Sequence, residues 1–83
     1  MRAVSYVQTG PSSVLRVVER DDPTPAVGEV LVRIERAGVN PTDWKFRAGT
    51  MSGHDEVVPG QDGAGVVEAV GDGVDSVRVG DRV

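Results

Sequence analysis

The chain has 83 residues, of which 39% are hydrophobic, with no cysteine and a formal net charge of −4. This length suits one small domain at most, and the lack of cysteine excludes disulfide bridges and thiolate metal ligands. The evenly spread acidic residues disfavour nucleic-acid binding, which needs clustered cations. No apolar run approaches the roughly 20 residues that span a bilayer, so we expect a cytoplasmic protein without a membrane partner.

The first part of the chain predicts a β-hairpin. Met1–Val7 and Val14–Glu19 are both rich in strand-forming residues, and the residues between them are typical of turns. The prolines within Asp21–Gly28 then predict an extended surface loop, because proline disfavours helix both at its own position and at the one before.

Glu29–Ala37 gives the clearest strand pattern. Apolar and charged residues alternate along it, which predicts that Val30, Val32 and Ile34 share one half-buried face.

A short helix is predicted over Pro41–Ala48. Asn40 is a favourable N-cap, and a proline at the first helical position loses no intrahelical hydrogen bond. Asp43 has the spacing of a capping-box partner, and Gly49 is suited to end the helix in a left-handed conformation. The loop that follows contains His54, which we expect to be exposed to solvent rather than to bind a metal.

The glycines of Gly60–Gly65 allow two interpretations. They resemble a dinucleotide-binding fingerprint only weakly, because their order is G-x-x-G-x-G and β-branched residues follow where a helix should begin. We favour the alternative that Gly63 and Gly65 permit a bulge or a close backbone approach within a strand. After a turn at Gly71–Gly73, a further strand is predicted to begin at Val77–Val79.

Three segments in this order, GVNPTDWKFRAG, PGQDGAGVVEAVGDGV and VGDRV, carry a family resemblance. The chain resembles the N-terminal part of medium-chain dehydrogenase/reductases, in particular their zinc-independent quinone oxidoreductase and enoyl reductase-like branch. The resemblance implies a mainly β fold, a GroES-like partly open β-barrel with short helices. It also implies that residues 1–83 are a truncated N-terminal substrate and catalytic domain, with an NADPH-binding Rossmann domain following in the parent enzyme.

The implied activity is hydride transfer from NADPH to a quinone, enone or enoyl substrate, in a parent that we expect to be a homo-oligomer. We do not expect the 83 residues alone to be active. Two alternatives remain open, a GroES-like binding or structural module such as a co-chaperonin subunit, and a separate half of a split reductase. The capped helix and the glycine-rich run favour the reductase.

The resemblance also suggests site residues. Zinc-dependent relatives have cysteine at the position of Asn40 and a Gly-His-Glu run where this chain has Gly60, Gln61 and Asp62, so no zinc site is expected. Lys45 is the candidate catalytic residue, because a cation there could orient or protonate a carbonyl; its alternative role is a solvated helix residue.

Asn40 is the candidate cofactor contact, facing the nicotinamide ribose, although it could equally serve as a helix cap. Gln61 and Asp62 are candidate polar residues of the substrate cleft. Trp44 is predicted to be a core anchor.

Overall fold

The computed structural model describes residues 1–50 and 55–83, so His54 lies outside the described residues. The chain forms two compact units, the first made of residues 1–21 and 38–61 and the second of residues 22–37 and 62–83. Strands dominate the second unit, whereas the first combines two short strands with short helical segments. No helix among the described residues has the length and apolar character that crossing a membrane requires.

The first unit contains the predicted hairpin. Strands β1 (Arg2–Ser5) and β2 (Arg16–Glu19) pair antiparallel. The second strand starts later than predicted, because Ser12–Val14 forms a 3₁₀ turn. The Val14 N–H donates to the Pro11 carbonyl at 3.0 Å, which uses a backbone donor that an extended strand would direct to its neighbour.

Tyr6 is the buried centre of the first unit, with 5% of its surface exposed. Its backbone pairs with Val57 through two hydrogen bonds, Tyr6 N–H to the Val57 carbonyl at 3.0 Å and Val57 N–H to the Tyr6 carbonyl at 2.9 Å. The neighbouring Ser5 is 2% exposed. These contacts attach the segment around Val57 to the end of β1.

Helix α1 spans Pro41–Lys45 and continues as a π-helical turn, Phe46–Thr50. The α-helical part is therefore three residues shorter than the predicted range, which ended at residue 48. Gly49 has φ 113°, a left-handed conformation that suits glycine, and this confirms its predicted role at the end of the helical segment.

The second unit is built around a central strand. Strands β3 (Val30–Ala37) and β4 (Gly63–Val70) pair antiparallel. The last residues of the chain pair with the other edge of β4: the N–H groups of Gly65 and Val83 each donate to the other residue's carbonyl at 3.0 Å. Val67, in the middle of β4, is buried, with 1% of its surface exposed.

The predicted face of β3 is wrong in detail. Val30 is 37% exposed and Ile34 is 55% exposed, whereas Leu31 and Val32 are partly covered. The register with β4 shifts between Leu31 and Val32 and again beyond Ile34. Each shift interrupts the two-residue alternation on which the prediction depended.

The strand predicted at Val77–Val79 is also not formed. A turn occupies this stretch instead, in which the Asp81 N–H donates to the Arg78 carbonyl at 3.0 Å and the Arg78 N–H donates to Asp81 Oδ2 at 2.9 Å. Gly80 supplies the positive φ, 95°, that the turn requires. Pairing with β4 begins within this turn, where the Gly80 N–H donates to the Val67 carbonyl at 2.8 Å.

Gly63 and Gly65 lie within β4, which confirms the strand interpretation of the glycine run over the dinucleotide fingerprint. A Cβ on Gly65 would overlap the Arg33 carbonyl group, lying 2.8 Å from its carbon, and a Cβ on Gly63 would lie 3.1 Å from the Arg36 oxygen. Glycine is required at residue 65 because the backbones of β3 and β4 approach closely there.

Candidate functional site

The capping box at the start of α1 is present. Asn40 is extended, with φ −126° and ψ 160°, and its N–H donates to Asp43 Oδ2 at 2.7 Å. The Asp43 N–H donates in turn to the Asn40 backbone carbonyl at 3.0 Å. Both residues are half-buried. The predicted cap is therefore confirmed, and it fixes the direction in which α1 leaves the preceding loop.

A cavity of about 170 Å³ lies against this helix in the first unit. Its lining is mostly apolar, with two polar side chains, and comprises Tyr6, Asp43, Phe46, Val57, Val58, Pro59, Gly60 and Gln61. The fold thus brings Gln61 together with Asp43. Asn40 and Lys45 are not among the lining residues, although both belong to the capped helical segment that carries Asp43.

Lys45, the last residue of α1, is exposed. Its Nζ lies 5.8 Å from the centroid of the Trp44 ring, within the range of a cation–π contact. Trp44 is 52% exposed, so the prediction that it anchors the core is wrong within the described residues. Phe46, two residues further along, is partly covered, and this aromatic side chain lines the cavity instead of Trp44.

Gln61 and Asp62 are both exposed, and they belong to different units. Gln61 is the last residue of the first unit, and it lines the cavity. Asp62 precedes β4 directly. Of the two, Gln61 lines the cavity beside α1.

The described donor groups do not fit a catalytic zinc. Among residues 1–50 and 55–83, no three His, Cys, Asp or Glu side chains are grouped so as to hold a metal ion. Asn40 and Gln61 offer amide groups, which are poor substitutes for the thiolate and imidazole ligands of zinc.

A second, larger cleft of about 540 Å³ in the first unit contains a charged cluster that the sequence did not reveal. Glu56 accepts hydrogen bonds from Ser5 Oγ at 2.8 Å and from Arg20 Nε at 3.1 Å, and Arg20 Nη2 contacts the same carboxylate. The Arg20 hydrogen bonds, followed by the bond from Ser5, lower the pKa of Glu56 below its ordinary value of 4.5. The Glu56 carboxylate is therefore ionised at neutral pH.

Comparison with known proteins places the chain in a family. Residues 26–83 match the family described as the alcohol dehydrogenase GroES-like domain. The chain belongs to this family, and with it to the medium-chain dehydrogenase/reductase superfamily. The expected GroES-like fold class is thereby confirmed.

Individual relatives extend the comparison. The chain is 42% identical over 81 residues to a probable quinone oxidoreductase of Schizosaccharomyces pombe, covering 96% of this chain and 25% of the relative. A mycobacterial protein complexed with NADPH shares 41% identity at a TM-score of 0.91, over 99% of this chain and 26% of the other. A cobalt- and zinc-bound alcohol dehydrogenase of Pyrobaculum aerophilum shares 43% identity at a TM-score of 0.89, over 100% and 25%. The chain thus spans about a quarter of the length of the proteins it matches.

Proposed function

We propose that residues 1–83 form the N-terminal domain of an NADPH-dependent oxidoreductase that reduces a quinone, an enone or an enoyl substrate. The observation that carries this proposal is the apolar cavity against the capped helix α1, with the exposed cation of Lys45 on the same helix. The similarity to a quinone oxidoreductase and to an NADPH-bound protein supports it. A homo-oligomeric enzyme located in the cytoplasm belongs to the same proposal.

In this proposal the reduced nicotinamide, when bound, supplies a hydride to the electron-poor carbon of the conjugated carbonyl compound. The carbonyl end of the substrate would extend beyond the cavity, whose lining does not include Lys45, and there Lys45 would donate a hydrogen bond, and then a proton, to the oxygen on which negative charge develops. Because Lys45 is exposed, it regains its proton from solvent. The side-chain amide of Asn40 is suited to a ribose hydroxyl, since it offers both a donor and an acceptor.

Substrate binding is assigned to the cavity. Val57, Val58 and Phe46 would cover the face of a flat ring and exclude water, while the Gln61 amide would contact a polar edge. A volume of about 170 Å³ is small beside the roughly 300–1,000 Å³ of pockets for drug-sized ligands. It therefore favours a compact substrate such as a single-ring quinone.

The cofactor would be held mainly outside these residues. Within the described part of the chain, no glycine-rich turn leads from a parallel strand into a helix, the arrangement that binds a dinucleotide pyrophosphate. Asn40 and Lys45 would contact only the nicotinamide end.

The proposal predicts NADPH oxidation by the full-length protein with 1,4-benzoquinone or a small enone as acceptor. An initial-rate assay at 340 nm measures it, with NADPH omitted in one control and the acceptor in another. No turnover with any quinone, enone or enoyl thioester would contradict the reductase assignment and favour a binding module. NAD-dependent oxidation of a primary alcohol without quinone reduction would instead assign a classical alcohol dehydrogenase activity.

We also predict that no stoichiometric zinc binds through Asn40 and Gln61, because their amides replace the thiolate and imidazole ligands that a catalytic zinc prefers. Elemental analysis of the full-length protein after dialysis against a chelator, combined with the quinone assay, measures this. Unchanged activity in the chelated protein is the expected result. Activity that is lost on chelation and restored by zinc, but not by magnesium, would overturn it.

A further inference from the structure

One short segment, residues 55–61, forms most of one wall of the cavity. Val57, Val58 and Gln61 all lie on it, and all three line the cavity. The segment is attached to β1 through the pair of backbone hydrogen bonds between Tyr6 and Val57. The placement of this wall therefore depends on what keeps residues 55–61 against β1.

The Glu56 carboxylate forms a side-chain clasp directly beside that backbone pair. It binds Ser5, the last residue of β1, and Arg20, which follows β2. Ser5 is 2% exposed, so its hydroxyl needs a protein partner, and Glu56 provides it. We define these three residues, Ser5, Arg20 and Glu56, as the clasp.

Arg20 is itself fixed from two other directions. Its N–H donates to the Met1 carbonyl at 2.9 Å, and its Nη1 donates to the Glu19 carbonyl at 2.6 Å. The guanidinium therefore presents a prepared pair of donors to Glu56, a geometry that matches a carboxylate well. Arg16 lines the same cleft, but its guanidinium donates to the carbonyls of Ser13 and Leu15.

We propose that Glu56, held by Arg20 and Ser5, is a positioning residue that sets the place of the substrate-binding wall at residues 57–61. This inference rests on the proposed function, which supplies the quinone, enone or enoyl substrate. The clasp does not touch the reacting atoms and acts through the Tyr6–Val57 pair. It thus controls how well a substrate is bound rather than how fast bound substrate reacts.

The test uses the variants Glu56→Gln and Arg20→Met in the full-length protein, together with the double variant. Each single change is expected to raise KM for 1,4-benzoquinone roughly three- to ten-fold, the effect of one hydrogen bond of ordinary strength, with kcat within about two-fold. The double variant should be no worse than either single variant, because both remove the same contact.

Hydrogen exchange provides a readout that needs no activity. In Glu56→Gln, the segments containing Tyr6 and Val57 should exchange roughly three- to ten-fold faster, because their mutual hydrogen bonds open more often. Glu19→Gln is the matched control, since Glu19 is an exposed carboxylate on β2 whose 3.7 Å contact is to the chain's terminal amine. It should leave both KM and exchange unchanged.

Specific outcomes overturn the proposal. Unchanged KM and unchanged exchange in Glu56→Gln would do so, as would a fall in kcat and thermal stability at constant KM. If Glu56→Gln does not fold, Arg20→Lys, which keeps the charge but loses the paired donors, should show a smaller rise in KM, and wild-type values there would count against the clasp. If the wild-type protein reduces no quinone, the proposed function fails, and the exchange comparison alone decides whether Glu56 positions the segment.

Discussion

Replacing Lys45 with methionine is expected to lower kcat of the full-length protein tens-fold or more, with little change in its melting temperature. A positioned general acid typically contributes about 10²–10⁴-fold, and a donor aimed at a developing oxyanion contributes on a similar scale. Methionine retains most of the aliphatic length of the side chain and removes only the charge. Lys45 is exposed, so its folding role is small.

The contact between Lys45 and Trp44 limits the expected change in stability. A cation over an exposed indole contributes about 0.5–1 kcal/mol, and the 5.8 Å separation is near the limit of that interaction. Trp44 is half-exposed, so its indole lies at the surface beside the Lys45 ammonium. An indole packed inward would instead point away from that ammonium. A large loss of kcat would therefore report chemistry and not unfolding.

The matched control for Lys45→Met is Arg2→Met, which removes one exposed cation from β1. Steady-state kinetics with NADPH and an enone, beside a melting curve for each variant, compare the two changes. Near-wild-type kcat in Lys45→Met would show that Lys45 is a solvated surface residue without a role in the reaction. A similar loss in both variants would indicate a general effect of charge.

Features encoded by neighbouring residues were predictable from the sequence. The Asn40–Asp43 capping box needs only its own spacing, and it forms as predicted. Gly49 adopts the positive φ that its place after the helix suggested. The strand assignment of Gly63 and Gly65 followed from the β-branched residues after them. In each case the deciding interaction lies within one turn or one strand.

Features that depend on distant partners were not predictable. The Arg20–Glu56 contact joins positions 36 residues apart, and nothing in the local sequence of either residue indicates it. The exposure of Val30 and Ile34 depends on shifts in register that only the pairing with β4 creates. The contribution of Val57 to the candidate site likewise depends on its pairing with Tyr6. The roles of Lys45 and Asn40 remain predictions.

Gly65→Ala is expected to destabilise the protein by about 3 kcal/mol, at the upper end of the usual costs of overpacking. The added methyl group would overlap the Arg33 carbonyl group, and backbone atoms cannot be relieved by a change of rotamer. The two strands would have to separate where β4 is also paired with Val83 on its other edge. A loss of this size is a large share of the roughly 5–15 kcal/mol that stabilises a typical domain.

Gly63→Ala provides the matched control within the same strand. Its added Cβ would lie 3.1 Å from the Arg36 oxygen and 3.2 Å from Ile34 Cδ1, a tight contact that small shifts relieve. We expect a cost of about 1 kcal/mol or less there, because the Arg36 oxygen needs to move by only a few tenths of an ångström and the Ile34 side chain can adjust. Urea unfolding of both full-length variants measures the difference. Equal costs at the two positions would show that β3 and β4 separate easily, and the close approach at Gly65 would then not be what requires glycine.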